Sequence, residues 1–475
     1  MDTQTIIQKL LEKIEVLEAI IEQQSILIAE QSALIKKQSV KIAELEKRLG
    51  KDSNNSSKPP SSDGLSKGTR TNSLRKKGKN KSGGQQGHRG QTLEQTSTPN
   101  KTKKHFLTEC PNCAASLSLI KSLGIMKRQV FDLPVPKIEI TEHQAEIKLC
   151  PCCQKQVTAS FPKGVNAPVQ YGEVIQSWAV YLQHQLFLPE GRLQETFRDL
   201  FGVSLATATL NGFSESLYAD LEDFENSVLS KIKEAAVKNL DETGFRVTAQ
   251  THWLHVASTT GLTYYHVSPR RKALLEGLKG TVVHDHWKPY YQLSDVKHGL
   301  CNQHHLRELK ALIEYDKESW ARKMQRCLRV ALHYRHAYGN EVIPSTLLKR
   351  LQTLYDTIVE QGLDFHEKQP VFSIKTGRGR TARRTGHNLV LRLKNYRDDV
   401  LRFLTDPAVP FTNNDAERDI RMVKCKQKIS GGFRSTKGAN MFARIRGFIS
   451  TARKQGWNIF ESIQQVVQGA LPVLA

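Results

Sequence analysis

An unbroken heptad repeat through residues 1–49 limits what this chain can fold into more than any other feature. Position a is Ile7, Ile14, Ile21, Ile28, Ile35, Ile42 and Leu49, and position d is Leu10, Leu17, Gln24, Gln31, Gln38 and Leu45. Alternating steps of three and four keep these side chains on one seam, and Ile at a with Leu at d favours a parallel helix pair. The glutamines at d weaken the seam and set its register. No Pro or Gly breaks the run, so the expected state is a coiled coil with a second copy rather than a helix packed on its own domain. Gly50 stops it.

A polar tract follows to about residue 105. It contains Ser56-Ser57-Lys58-Pro59-Pro60-Ser61-Ser62-Asp63, Lys76-Lys77 and Gly83-Gly84-Gln85-Gln86-Gly87-His88-Arg89-Gly90. Such composition cannot bury enough apolar surface to offset chain entropy, so residues 50–105 are expected to be a flexible basic arm that orders on DNA. The charge map agrees. The chain carries a formal net +23. Residues 51–109 hold 13 basic and 4 acidic side chains, and residues 371–460 hold 20 and 6, so these two windows contain the whole excess. Localised positive charge neutralises phosphates and releases counterions, which makes double-stranded DNA the expected partner. Lys76 and Lys77 in the first window, and Arg378, Arg380, Arg383 and Arg384 in the second, are the candidate phosphate contacts.

Composition narrows the class. At roughly 100–200 residues per domain, 475 residues imply two to four folded units. No apolar run reaches the ~18 residues a membrane-spanning helix needs, and the polar N-terminus lacks a signal-peptide core. Eight cysteines in this length do not form a disulfide scaffold. A cytoplasmic protein is expected.

The cysteines are instead patterned for metal. Cys110-Pro111-Asn112-Cys113 and Cys150-Pro151-Cys152-Cys153 stand 36 residues apart. Paired CxxC knuckles match a structural zinc site in which Cys110, Cys113, Cys150 and Cys153 supply four thiolates to a tetrahedral Zn²⁺. Cys152 is an extra thiol able to replace a neighbour. Val130-Phe131-Asp132-Leu133 and Ile138-Glu139-Ile140 between the knuckles look strand-like, as in a zinc ribbon. Residues 171–235 look helical, with one helix stopping near Gly202 and another starting at about Leu205. A helix-turn-helix and a plain helical hairpin both fit that spacing.

From Val237 the period changes to that of strands. Val237-Lys238-Asn239-Leu240 leads into Asp241, His252–Val256 and Leu262–Val267 follow, and after a short expected helix Thr281-Val282-Val283-His284 leads into Asp285. Three strands, a helix and a fourth strand ending in aspartate describe a ribonuclease-H-like core, in which Asp241 and Asp285 face each other. Such a core needs a third acid from a late helix. Glu417 fits, in the first turn after Thr412-Asn413-Asn414, where an Asn caps the helix start. Arg421 and Lys424 follow it at i+4 and i+7 and are candidate DNA contacts. Asp241, Asp285 and Glu417 are hard oxygen ligands suited to Mg²⁺ or Mn²⁺. Glu242, Asp415 and Asp419 are near enough to substitute.

Together these pieces resemble the insertion-sequence-66 family of bacterial transposases, almost end to end. The resemblance rests on the zipper, Ser56–Asp63, Gly83–Leu93, the CxxC pair, Asp241-Glu242-Thr243, His284-Asp285, and Asn413-Asn414-Asp415-Ala416-Glu417-Arg418 ahead of Gly431-Gly432-Phe433-Arg434-Ser435. It implies a DDE transposase with Asp241, Asp285 and Glu417 as the acidic triad, a homo-oligomer joined by the coiled coil, and helper proteins from the same element. It also implies that Cys301-Asn302-Gln303-His304 is the C-x-x-H element found after the second acid in many such enzymes. A separate metal site at Cys301 and His304, and a structural thiol beside a satisfied histidine, remain the alternatives there.

The expected fold is therefore multidomain α+β. It consists of a coiled coil (1–49), the arm (50–105), a zinc ribbon (106–165), a helical DNA-binding region (166–234), a ribonuclease-H-like α/β catalytic core (235–460) with a helical insertion at about 304–400, and a C-terminal helix or tail (461–475). A non-catalytic DNA-binding protein and a nuclease that cuts without joining are the competing functions.

Overall fold

The computed structural model describes residues 2–49, 92–369 and 383–474. Lys76, Lys77, Arg378 and Arg380 lie outside the described residues. The chain divides into two compact units, one of Met1–Gly68 with Pro162–Glu195 and Leu205–Ala475, the other of Thr69–Phe161 with Thr196–Ser204.

Helix α1 (Thr3–Leu49) is one continuous helix of 47 residues. Its described apolar side chains meet solvent; Ile21 and Ile28 on the heptad seam keep 61% and 63% of their accessible surface. The smaller unit contains strands β1 (Ile147–Leu149) and β2 (Gln156–Thr158), paired antiparallel on either side of the second knuckle. The strands expected at 130–133 and 138–140 do not form. Pro134 and Pro136 lie between those runs and cannot donate to a ladder. Val130 and Leu133 are 91% and 88% exposed, so no buried face rewards pairing there.

Helices α2 (Glu173–Val180), α3 (Glu190–Phe201), α4 (Thr207–Asp220) and α5 (Glu222–Glu234) precede the sheet in sequence; α2, α4 and α5 belong to the larger unit, and residues 196–201 of α3 to the smaller one. Helix α3 stops where its glycine predicts. Gly202 takes φ +68°; its N–H donates to the Arg198 carbonyl, and that of Val203 reaches back to Phe197. The bond from Gly202 to Arg198 is that of an αL closure, which needs a left-handed residue at this position.

Strands β3 (Val237–Val247), β4 (Gln250–Ser258), β5 (Thr263–Ser268), β6 (Thr281–His284) and β7 (Lys297–Leu300) form one sheet in the order β5-β4-β3-β6-β7. β3, β4 and β5 are an antiparallel meander, while β6 and β7 run parallel to β3 on its other side. No helix forms between β5 and β6 among the described residues. Pro269 opens that segment, and Gly277 and Gly280 adopt φ +72° and +74°, which an α-helix cannot accommodate. After β7 come α6 (Asn302–Ala311), α7 (Ser319–Tyr338), α8 (Ser345–Glu367), α9 (Thr385–Asn395) and α10 (Arg397–Thr405), followed by α11 (Asn414–Ser430), α12 (Thr436–Lys454) and α13 (Ile459–Val467).

Three apolar clusters hold this unit together. Leu240 and Val282 join Leu217, Phe224, Ile445, Ile449 and Ile463 on one side of the sheet. Phe245, Leu254 and Val256 meet Ala416, Ile420, Val423 and Phe442 on the other. Trp320, Tyr355, Leu389 and Val400 centre a third cluster among α6 to α10. Helices α2, α4 and α5 share the cluster of the sheet, and the segment expected as a C-terminal helix or tail contains α13, whose Ile463 and Val466 are buried in the same cluster. The Asn458 side chain caps α13 by accepting from the Phe460 and Glu461 amides.

The turn into β6 is tightly constrained. A Cβ on Gly280 would lie 2.5 Å from the Ala236 carbonyl oxygen, in a left-handed backbone. Gly280→Ala should therefore destabilise the protein by about 2 kcal/mol or more, read as a lowered urea midpoint with unchanged slope.

Candidate active site

Strand geometry decides how the first two acids are aimed. Successive side chains of a strand point to opposite faces. On β3, Leu240 belongs to one apolar cluster, and Phe245 and Val247 to the other. Asp241 thus shares the face of Phe245, on which α11 packs, while Glu242 faces away. Parallel pairing sets Asn239 opposite Val283, and the same register carried two residues further sets Asp241 beside Asp285. Glu417 comes from the first turn of α11, whose Ala416 and Ile420 lie on that same face.

The three acids feel one another. Burial, and then the charges of Glu242, Asp285 and Glu417, push the Asp241 carboxyl well above the usual range. Burial, followed by the charge of Glu242, raises Asp285 to about 6. Each aspartate has one oxygen fixed: the Glu242 amide donates to Asp241 Oδ1 at 2.9 Å, and the Trp287 amide to Asp285 Oδ1 at 2.9 Å. Glu417 lies near cations, with Arg307 at 3.6 Å from Oε1 and Arg421 at 4.0 Å from Oε2. Its Oε1 is nevertheless buried without a hydrogen-bond donor. Repelling carboxylates and an orphaned carboxylate oxygen are a donor set that a divalent cation would satisfy.

The substitute acids are engaged elsewhere. Arg271 donates twice to Glu242 Oε1, at 3.1 and 2.7 Å, and the Tyr290 hydroxyl donates to Oε2. The Arg271 guanidinium is itself stacked between the rings of Trp253 and Trp287. Asp419 accepts from Thr263 and Lys454 at 2.9 and 2.8 Å, and Asp415 pairs with Arg418.

Asn413 ties the acidic segments together, and not by the expected cap. Its side chain accepts nothing from the helix; Nδ2 donates to the Leu240 carbonyl at 2.7 Å, one residue before Asp241. Its own N–H donates to Cys301 Sγ at 3.2 Å, and its carbonyl accepts from the Glu417 amide at 3.1 Å. The Cys301 amide in turn donates to the carbonyl of His284, which precedes Asp285. Cys301 and His304 therefore belong to the same site. Their ligand atoms and that of Glu417 lie within 4.8 Å of one another, the one such group among the described residues. The three acids do not form a group that tight. A cavity of about 200 Å³ opens beside them, lined by Asp285, His286, Cys301, His304, His305 and Arg392 among others.

Not every candidate DNA contact is free. Lys424 is half-buried and its ammonium is bonded to the Gly244 carbonyl, so it braces α11 on β3. Arg421 is exposed, and Arg383 is exposed at the start of α9. Arg307 and Arg392, which carried no motif in the sequence, are the cations the fold adds.

The two knuckles fold alike. The Cys110 amide donates to Ala115 and the Cys150 amide to Lys155, with Ala114 and Gln154 at φ +56° and +53°. Backbone amides of Asn112 and Cys113 lower the Cys110 thiol, and those of Cys153 and Cys152 lower Cys150. Amides turned onto thiols suit thiolate ligands. Cys152 contributes an amide to this turn. The knuckle sulfurs do not form a group of three within 4.8 Å.

Comparison with known proteins agrees with these observations. The profile of the Transposase IS66 family matches residues 168–441, and that of the zinc-finger binding domain of transposase IS66 matches residues 108–154. The chain belongs to the IS66 transposase family. A family of unknown function matches residues 4–94. An uncharacterized protein from Sinorhizobium fredii, y4jO, is 33% identical over 86 residues, which is 18% of this chain and a quarter (25%) of that protein. No helix among the described residues is long and apolar enough to cross a membrane.

Two measurements follow. Asn413→Ala should cost about 1–2 kcal/mol of stability through the lost bond to the Leu240 carbonyl, seen as a lower melting temperature. Purified protein should carry zinc, and Cys110→Ser with Cys150→Ser should lose it by elemental analysis.

Proposed function

We propose that this chain is a DNA transposase of the DDE type, acting in the bacterial cytoplasm, which cuts the ends of a mobile element and joins their 3′-hydroxyls to target DNA. The observation that supports this reading is that Asp241, Asp285 and Glu417, from β3, the end of β6 and the start of α11, lie near enough for the charges of Asp285 and Glu417 to act on Asp241 and that of Glu417 on Asp285, with Asp285 also lining a cavity edged by Arg392. A meander of three strands followed by two parallel strands supports assigning the core to the ribonuclease-H-like class.

Asp241, Asp285 and Glu417 would hold Mg²⁺ or Mn²⁺. Such ions, when bound, polarise the scissile phosphate and favour the attacking and leaving oxygens of an in-line displacement. The chain's own residues prepare that site. The Glu242 and Trp287 amides fix one oxygen of each aspartate, leaving the other to face a ligand. Arg271 and Tyr290 occupy both oxygens of Glu242, so a fourth carboxylate does not add to the ligand set. Arg307 and Arg421 beside Glu417 supply positive charge for the DNA backbone. The zinc domain, the α3–α4 helix pair and the basic windows would recognise element ends and target. Accessory proteins of the same element would complete the machinery.

The exposed seam of α1 supports the coiled coil as the means of pairing two protomers, and hence two element ends. Ile21→Asp with Ile28→Asp should reduce a dimeric or larger assembly to monomer mass in light scattering. If the mass stays unchanged, oligomerisation does not run through α1.

The chemistry is tested on a supercoiled plasmid carrying the DNA that flanks the gene, incubated with Mn²⁺. Wild-type protein should give end-specific nicks and joined products, and Asp285→Asn should reduce both by at least about a hundredfold while retaining DNA binding. Equal activity in both proteins contradicts the assignment. Binding without cutting would identify a non-catalytic DNA-binding protein, and nicking without joining a nuclease.

A further inference from the structure

Cys301 and His304 have no task in the triad, yet the fold brings both to Glu417. Cys301 is almost fully buried at the N-terminus of α6. Three backbone amides face its sulfur, those of Asn413, His304 and Gln303. Burial, and then the charge of Glu417, raise the Cys301 thiol to about 12; the three amides oppose that rise, and N–H donors turned onto sulfur are what surrounds a metal-bound cysteine. His304 Nδ1 and Glu417 Oε1 stand 4.0 Å apart, and both are buried without a hydrogen-bond partner. All three ligand atoms lie within 4.8 Å of one another. Zinc–ligand bonds of about 2.0–2.3 Å in a tetrahedron place ligands roughly 3.3–3.7 Å apart, so a shift of about an ångström would close the set. The adjoining cavity leaves a fourth position open.

We propose that Cys301 Sγ, His304 and Glu417 form a cation site separate from the knuckles, selective for a zinc-class ion, and that filling it withdraws Glu417 from the triad and silences strand cleavage. Thiolate and imidazole select a borderline or soft metal over Mg²⁺, which takes oxygen ligands. Binding breaks the Cys301 S–H bond, forms a sulfur–metal bond and releases the proton to solvent. Arg307, 3.6 Å from the same Glu417 oxygen, competes with the ion and keeps the site from filling at low zinc. The site is thus an inhibitory sensor of free zinc. The inhibitory half rests on the reading of Glu417 as a catalytic ligand; the cation site itself does not.

The test uses the full chain with its knuckles already loaded with zinc, and Co²⁺ as probe. Wild-type protein should gain a sulfur-to-cobalt charge-transfer band at one further Co²⁺ per chain. Cys301→Ser should abolish that band, His304→Ala should weaken Co²⁺ binding at least tenfold, and Asp241→Asn should keep it. Circular dichroism checks that each variant is folded, and His304→Ala carries the test if Cys301→Ser is not. In plasmid nicking, zinc should inhibit wild-type protein in competition with Mg²⁺, with an inhibition constant at least tenfold higher in Cys301→Ser. No further band in wild type, or the same band in Cys301→Ser, overturns the site. A band that depends on Cys301 without zinc inhibition of an active enzyme overturns the inhibitory role. The same band in a protein that never cleaves supports the site and contradicts the transposase reading.

Discussion

The geometry of the candidate site depends on what Asn413 binds. Asp241, Asp285 and Glu417 are separated by long stretches of chain, and like charges in a half-buried site drive them apart. Asn413 opposes that by spending its side chain on the Leu240 carbonyl, its N–H on Cys301 and its carbonyl on Glu417. Cys301 extends the link to the carbonyl of His284. Four segments, each carrying or adjoining a metal-ligating candidate, are thereby held by hydrogen bonds in which none of the three carboxylates takes part.

The surroundings follow from the same electrostatic tension. Asp241 and Asp285 are both raised by burial and then by the charge of Glu242, a state that costs stability and persists because the sheet and α11 are locked by apolar packing on both faces. Glu242, next in sequence to Asp241, adds its charge to both aspartates. Strand alternation turns it to the opposite face, where Arg271, stacked between Trp253 and Trp287, and Tyr290 receive it. Lys424 meets a related need by bracing α11 on the Gly244 carbonyl.

Local signals were legible in the sequence and contacts across the chain were not. The heptad of α1, the Gly202 stop, the paired CxxC turns and the strand before each aspartate are short-range patterns, and the structure contains the corresponding elements. The short helix expected before β6 failed because Pro269 and the positive-φ Gly277 and Gly280 set the backbone there. The strands expected at 130–140 failed because β-propensity means little without a face to bury. Periodicity placed Lys424 on the DNA side of its helix, yet its ammonium found a strand carbonyl. The third partner of Cys301 and His304 was invisible for a simpler reason: Glu417 lies more than a hundred residues away, and only the Asn413 contacts bring it near.

The central claim is that Asp241, Asp285 and Glu417 form one divalent-cation site. Fe²⁺ substituted into the protein in the presence of ascorbate and peroxide cuts the backbone wherever the ion is held. Breaks are expected near residues 241, 285 and 417 together, suppressed by excess Mg²⁺ and lost in Asp241→Asn. Breaks confined to the neighbourhood of 301 and 417, with 241 and 285 spared, would contradict it.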